Sequence, residues 1–325
     1  MDLHDQEAQL GAARAIGLLL GVAADAALGD PRRGHPVAAF GRMAQSLERA
    51  VYRDSRAAGV LYNAALTGGV VALGIGVERL GRDRPVLQAL STAAATWAVL
   101  GGTSLGQEGA AMAQSLDGGR LDEARERLPN LCGREPELLD NQGLARATVE
   151  SVAENTSDAV VAPLLWGAVA GVPGLLGYRA VNTLDAMVGH RSPRYTNFGW
   201  ASAKIDDVAN LVPARVAAML TSLCAPVVGG SARGAWRTWR QDASAHPSPN
   251  AGQIESAFAG ALGVRLGGRT VYGYGAEERP VLGEGRTPDS GDVTRSVELS
   301  RVIGTATAAV SAAASVAIGW LRRRR

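Results

Sequence analysis

Four runs of about twenty residues without a single charge constrain this chain more than anything else in it. They cover residues 57–77, 85–107, 159–178 and 302–321 of 325. About twenty uncharged, mostly apolar residues form a helix long enough to cross the hydrocarbon of a bilayer. Two weaker candidates are residues 15–28, interrupted by Asp25, and residues 216–232, interrupted by Pro226. The runs are rich in Ala and Gly rather than Leu, so each alone would also suit a buried helix of a soluble enzyme. Small residues equally suit close helix packing within lipid, and four such runs in one chain favour the membrane. The first ten residues are acidic and lack a basic leader, so the first apolar segment reads as a retained helix, not a cleaved signal.

Helical periodicity dominates elsewhere, and no long alternating strand pattern stands out. The expected fold is all-α: a polytopic membrane helical bundle with polar helical and loop inserts at the membrane surface. It is read as a single membrane-integrated domain over 1–325, with inserts at about 108–158 and 233–301. Gly29–Pro36 (GDPRRGHP) reads as a turn-rich loop and Val37–Arg56 as an amphipathic basic helix. Pro163, Gly171, Pro173, Gly174 and Gly177 predict a broken helix or helical hairpin over 159–177 instead of one clean span. The closing Arg322–Arg325 belongs in the cytoplasm by the positive-inside rule.

A net charge of +2 gives no basic face for nucleic acid and no acidic tail. Cys132 and Cys224 show neither CxxC spacing nor a disulfide framework, and each is expected to be a small buried apolar residue.

Several polar stretches could carry chemistry. Glu150, Glu154 and Asp158 fall at i, i+4 and i+8, on one helical face, where their mutual repulsion would be relieved by a cation or a cationic substrate group. Such clusters are commonly just solvated, but this one abuts the apolar run that starts at Ala159. Asp185 stands among Leu184, Met187 and Val188, where a carboxylate is costly unless paired. Asp206, Asp207 and Asn210 supply hard oxygen ligands of the kind magnesium uses when it binds phosphates. Lys204 and Arg215 flank them and could contact phosphate, although a capped helix with an internal ion pair reads equally well. In His246–Gly252 (HPSPNAG), Ser248 and Asn250 could present donors to an anion, and an ordinary turn is the plainer reading. Neither GxxxxGK[ST] nor a GxGxxG opening a helix is present, so a nucleotide would be bound by another device.

Taken in order, these stretches resemble the CobD/CbiB family of cobinamide-phosphate synthases. The matching pieces are D-x4-GDP-x3-HPV at Asp25–Val37, AR-x7-GR at Ala124–Arg134 and VESVAEN-x2-D-x4-P at Val149–Pro163. They continue with YRAVNTLDAMVGH at Tyr178–His190, FGWASAKIDDVANLVPAR at Phe198–Arg215 and HPSPNAG-x11-GVRLGG at His246–Gly268. Two departures are Gln253, where many relatives carry an aromatic residue, and His190, where many carry tyrosine.

The resemblance implies a multi-pass cell-membrane enzyme with a cytoplasmic active site. It would use ATP and Mg2+ to join (R)-1-amino-2-propanol, or its O-phosphate, to the free propionate carboxyl of adenosylcobyric acid. Its partners would be the corrinoid, the amino alcohol, the lipid bilayer and other membrane-associated enzymes of cobalamin assembly.

On this reading Mg2+ falls to Asp206 and Asp207 or to the Glu154/Asp158 face. Phosphate falls to Lys204 and Arg215, and the base is Glu154 or His246, with Asp185 in the same catalytic group. Ser248, Asn250, Asp30 and His35 would position ligands. The rival readings are a membrane transporter using intramembrane acids and a scaffold without ligase chemistry. A phosphotransferase of the acid-rich magnesium type is disfavoured by the absence of its longer motif.

Overall fold

The charge-free runs fold as helices whose ends follow local chemistry. The computed structural model describes residues 3–30, 34–190, 192–272 and 275–324, so residues 31–33 of the GDPRRGHP loop and Arg325 of the terminal arginine run lie outside it. In chain order the helices are α1 (Leu3–Leu28), α2 (Pro36–Val51), α3 (Arg56–Gly81), α4 (Pro85–Val99), α5 (Gly102–Asp117), α6 (Leu121–Arg127) and α7 (Asn141–Thr156). Next come α8 (Ala162–Leu184), α9 (Trp200–Ala209), α10 (Leu211–Cys224), α11 (Ala232–Asp242) and α12 (Ala251–Leu262). An antiparallel hairpin of β1 (Leu266–Tyr272) and β2 (Gly275–Leu282) precedes the long α13 (Ser290–Arg323). Proline opens α2 and α4, where its missing N–H costs nothing. Side chains of His35, Asp140 and Ser231 accept the first free N–H groups of α2, α7 and α11.

The helices group into two compact units, each assembled from separated segments. The first unit holds residues 1–101, 162–210 and 307–325; the second holds 102–161 and 211–306. Both polar stretches expected as inserts, 108–158 and 233–301, belong to the second unit.

By length and composition, five helical runs among the described residues can cross a membrane: Gln6–Leu28, Arg56–Gly81, Asn141–Gly189, Leu211–Val228 and Ser290–Arg323. The two weaker candidates are therefore spans in their own right. The run 85–107 is not one span. α4 ends at Val99, and Leu100 takes an extended backbone before α5 starts at Gly102. A helix of that length reaches about 22 Å, short of the hydrocarbon thickness of roughly 30 Å. The outward side chains of α3 fit lipid: Leu61 is 71% exposed and Leu80 68% exposed. The chain is accordingly a multi-pass membrane protein.

In the first unit, α1 packs on α4 through Gly17 and Gly21. A Cβ at Gly17 would lie 2.5 Å from Thr92 Cβ, and one at Gly21 would collide with Thr96. This is the small-residue contact that membrane helices use in place of bulky interdigitation.

The expected break in α8 falls at Gly171, with φ 65° and ψ −146°. Beyond it the chain folds back, so that Gly174 meets the Trp166 carbonyl and Gly167 lies against Leu175. Residues eight apart in a straight helix would stand about 12 Å apart along its axis. The segment is a helical hairpin. Glu78 of α3 accepts the Val172 N–H at 2.9 Å and pairs with Arg14 of α1 at 2.6 Å, with Gln88 donating to it at 3.0 Å. One carboxylate thus satisfies the backbone group that the break exposes.

The second unit buries Leu128, Leu144, Ile254 and Phe258. α11 and α12 touch backbone to backbone at Gly234 and Gly260. Thr156 donates to Ser300 at 2.7 Å, tying α7 to α13. Cys132 and Cys224 are free and only half-buried, short of the full burial expected of them.

Candidate functional site

In the second unit, three of the matching stretches, joined by β2, converge on a buried cluster of charge. Glu150 of α7 is 2% exposed. It accepts from the Arg134 guanidinium and, at 2.7 Å, from the Gly267 N–H, while Arg279 of β2 lies 3.7 Å away. Arg279 also reaches Glu255 of α12 at 3.4 Å and contacts His246 Nε2. His246 Nε2 stands 3.9 Å from Glu255 Oε1. His246 Nδ1 accepts the Ser248 N–H at 3.0 Å, and its Nε2 lies against the Arg279 guanidinium.

Two carboxylates, two guanidinia and an imidazole are therefore held together away from water. The cation expected to relieve the repulsion along α7 is, at Glu150, supplied by the chain's own Arg134 and Arg279. Burial, followed by the neighbouring Glu150 charge, pushes the Glu255 carboxyl up to about 8. Burial, followed by the Arg279 charge, pulls His246 down to about 4. At neutral pH Glu255 keeps its proton and His246 is uncharged. Glu255 Oε2 is buried without a hydrogen-bond partner among the described residues.

Backbone geometry permits this cluster at one point above all. Gly267 has φ +80°, and a Cβ there would run into the Pro280 carbonyl across the hairpin. Its N–H is thereby free to turn onto Glu150.

The remaining expected residues of this unit lie around the cluster. Glu154, one turn beyond Glu150, is exposed and within electrostatic reach of Arg279, Arg134 and Glu150. Asp158 falls in a π-helical turn, Ser157–Val161, where the α-helical repeat has ended. Ser248 Oγ accepts the N–H groups of Asn250 (3.3 Å) and Ala251 (3.1 Å), so it caps the start of α12. Asn250 is 8% exposed. Gln253, where an aromatic residue was expected, accepts from the Trp239 indole at 2.9 Å. Arg215 is exposed and donates to the Leu211 carbonyl of its own helix at 2.7 Å.

In the first unit, the Tyr178–His190 and Phe198–Arg215 stretches meet between α8 and α9. Asp206 accepts from Asn210 at 3.0 Å and from Asn182 at 3.4 Å. Tyr178 donates to Asn210 Oδ1 at 2.8 Å, and Arg179 to Asn182 Oδ1 at 3.4 Å. Asp207 diverges from Asp206 and pairs with Lys204 at 3.0 Å on the exposed side of α9. Asp185 starts a π-helical turn, Asp185–Gly189, and its carboxylate presses on Gly189. His35 Nε2 lies 3.6 Å from Asp30, while its Nδ1 accepts the Val37 N–H that opens α2. His190 packs edge-on to Tyr195.

Arg134, Glu255 and Arg279 carry no assigned role on sequence grounds. Glu255 did leave a signal: it is the one charge in the twelve residues of α12, and a lone carboxylate in an apolar helix demands a partner.

Fold and site together define a multi-pass helical membrane protein whose polar stretches form buried hydrogen-bonded networks. A family model described as CobD/Cbib protein matches residues 18–300. The cobalamin biosynthesis protein CobD of Mycobacterium tuberculosis (strain ATCC 25618 / H37Rv) is 55% identical over 313 residues, covering 96% of this chain and 97% of that protein. The protein of the same name from Chromobacterium violaceum is 42% identical over 309 residues, covering 94% and 96%. That from Rhodobacter capsulatus is 41% identical over 294 residues, covering 87% and 92%. No solved structure matches. The chain belongs to the CobD/CbiB family of cobalamin biosynthesis.

Proposed function

We propose that this protein is an ATP-dependent amide ligase. It joins the amine of (R)-1-amino-2-propanol, or of its O-phosphate, to the propionate carboxyl of adenosylcobyric acid on the cytoplasmic face of the cell membrane. The observation that carries this reading is the buried cluster in which Arg134, Glu150, His246 and Glu255 of the matching stretches meet Arg279 of β2, with Glu154 at its accessible edge.

A carboxylate is a poor electrophile and must be activated. One carboxylate oxygen attacks the γ-phosphorus of ATP, ADP leaves, and an acyl phosphate results. The ammonium of the amino alcohol gives up a proton to a base, the freed nitrogen attacks the acyl carbon, and phosphate departs with one of the original carboxyl oxygens. Glu154 suits the base best. It is exposed, and the paired charges behind it hold it in place. His246 is buried, with both ring nitrogens engaged, and its role is to orient Arg279 and the Ser248–Asn250 turn. Asp185 remains assigned to the catalytic group, and Asp30 and His35 to positioning ligands.

A bound magnesium ion would neutralise phosphate charge during the transfer. The donors fit such a hard ion: Asp206 sits among the amides of Asn182 and Asn210, and Glu154 is an exposed carboxylate assigned to the same ion on the sequence reading. Among the described residues no three His, Cys, Asp or Glu side chains gather as an ion site. Magnesium commonly takes one or two carboxylates and fills its shell with phosphates and water. Lys204 and Arg215, both exposed, are the phosphate contacts assigned on this reading.

The test is to incubate the purified full-length protein with cobyric acid, either form of the amino alcohol, ATP and magnesium. Mass spectrometry should find the amide, with one ADP formed per product. Glu154→Gln and Asp206→Asn should abolish the product while the protein stays in the membrane. Failure of the wild type to form any amide would overturn the proposal, and full activity in either variant would remove that residue's role.

A further inference from the structure

The second unit contains a cleft of about 390 Å3 beside the charged cluster. One wall is the first turns of α7, with Gln142 and Arg146; the other is the entry to β1, with Arg265, Gly267 and Gly268. The cleft and the cluster share Gly267, whose N–H is the donor to Glu150.

Several arginines elsewhere in this unit face carboxylates: Arg134 faces Glu150, Arg279 faces Glu150 and Glu255, and Arg286 faces Asp292. Among the described residues, the two in the cleft do not. Arg146 donates Nη2 to the Arg269 carbonyl at 2.9 Å, and its Nε is buried with no acceptor among the described residues. Arg265 donates to the Thr287 hydroxyl at 3.2 Å. The carboxylate on the wall, Asp140, accepts the Gly143 N–H at 2.8 Å as the cap of α7. Among the described residues, the two guanidinia face one cavity without a paired carboxylate, an incomplete charge arrangement. Guanidinium geometry suits the oxygens of a phosphate, and the cavity lies in the size range of small-ligand sites.

We propose that this cleft is a phosphate subsite, in which Arg146 and Arg265 hold the phosphate of a small phosphorylated reactant. Two sources share that chemistry, the nucleotide and the O-phosphate of the amino alcohol. Only this choice of source rests on the ligase reading; the cleft's preference for phosphate does not.

The experiment is calorimetric titration of the full-length protein in detergent micelles. The probes are inorganic phosphate, a βγ-imido analogue of ATP, (R)-1-amino-2-propanol O-phosphate and the unphosphorylated amino alcohol. At least one phosphate-bearing probe should bind, and its Kd should rise tenfold or more in both Arg146→Gln and Arg265→Gln. Arg146→Lys should recover part of the loss. Whichever phosphorylated probe shows the rise identifies the source. Arg146 also holds a strand carbonyl, so Arg265→Gln, which loses only a bond to a hydroxyl, guards against a folding artefact, and unchanged thermal midpoints confirm it. The proposal is overturned if no phosphate-bearing probe binds the wild type, or if both glutamine variants bind as the wild type does. Arginine-dependent phosphate binding without amide synthesis would uphold the cleft and sink the ligase reading. Amide synthesis with arginine-independent phosphate affinity would do the reverse.

Discussion

Raising the pH from 6.5 to 8 should cost this protein about 2 kcal/mol of folding stability through one side chain, Glu255. In the folded chain its carboxyl is pushed from 4.5 up to about 8, first by burial and then by Glu150. Between those values the native state holds a proton that the unfolded chain has lost, so stability falls as pH rises across the interval. His246 acts in the opposite direction. Its folded value is near 4 against 6.5 unfolded, so the unfolded chain holds the extra proton in that window and stability rises with pH up to 6.5. From about 4.5 to 6.5 the two slopes offset each other. Above 6.5 only Glu255 remains, and about 1.5 units at roughly 1.36 kcal/mol each give the stated loss. Glu255→Gln keeps the shape of the protonated acid but cannot ionise. The variant should be flat from pH 6.5 to 8, with a thermal midpoint a few degrees above wild type at the upper end. Thermal unfolding in detergent, followed by tryptophan fluorescence at several pH values, reads this directly. Parallel curves for wild type and variant across pH 6.5–8 would refute the assignment of the proton to Glu255.

Other perturbations separate structural from chemical roles. Glu78→Ala strands Arg14 and the Val172 N–H at the break in α8, and should destabilise the protein by about 3–5 kcal/mol, seen as a lowered thermal midpoint. Gly267→Ala forces a side chain at positive φ against the Pro280 carbonyl, so it should lower the midpoint and abolish amide formation together. Asp206→Asn should lose amide formation whereas Asp207→Asn, whose carboxylate pairs outward with Lys204, should retain most of it; equal effects in a product assay would contradict the division.

The spans were legible because an uncharged run of twenty residues has few fates, and the glycines and prolines at 171–174 announced the hairpin in α8. The break at Leu100 was missed. The Gly101–Gly102 pair that follows it is a breaker signal, but the charge-free run passes straight through and masked it. The polar stretches could be recognised one at a time, but not their partners. Glu150 meets Gly267 117 residues away, and Arg279 belongs to a hairpin that left no clear alternating pattern. Spacing placed Glu150, Glu154 and Asp158 on one face, yet only tertiary structure could show that Glu150 is neutralised internally while Glu154 faces outward. Asp206 and Asp207 are adjacent in sequence, and successive helical positions sent them to different neighbours.

In the proposed reaction ATP activates the carboxylate before the amine attacks. Cobyric acid carrying 18O in its free propionate carboxyl, turned over by the purified protein with ATP, magnesium and the amino alcohol, tests it directly. One labelled oxygen per amide should appear in the released inorganic phosphate. Amide formed with unlabelled phosphate, or label passing to no phosphorus species, would contradict the claim.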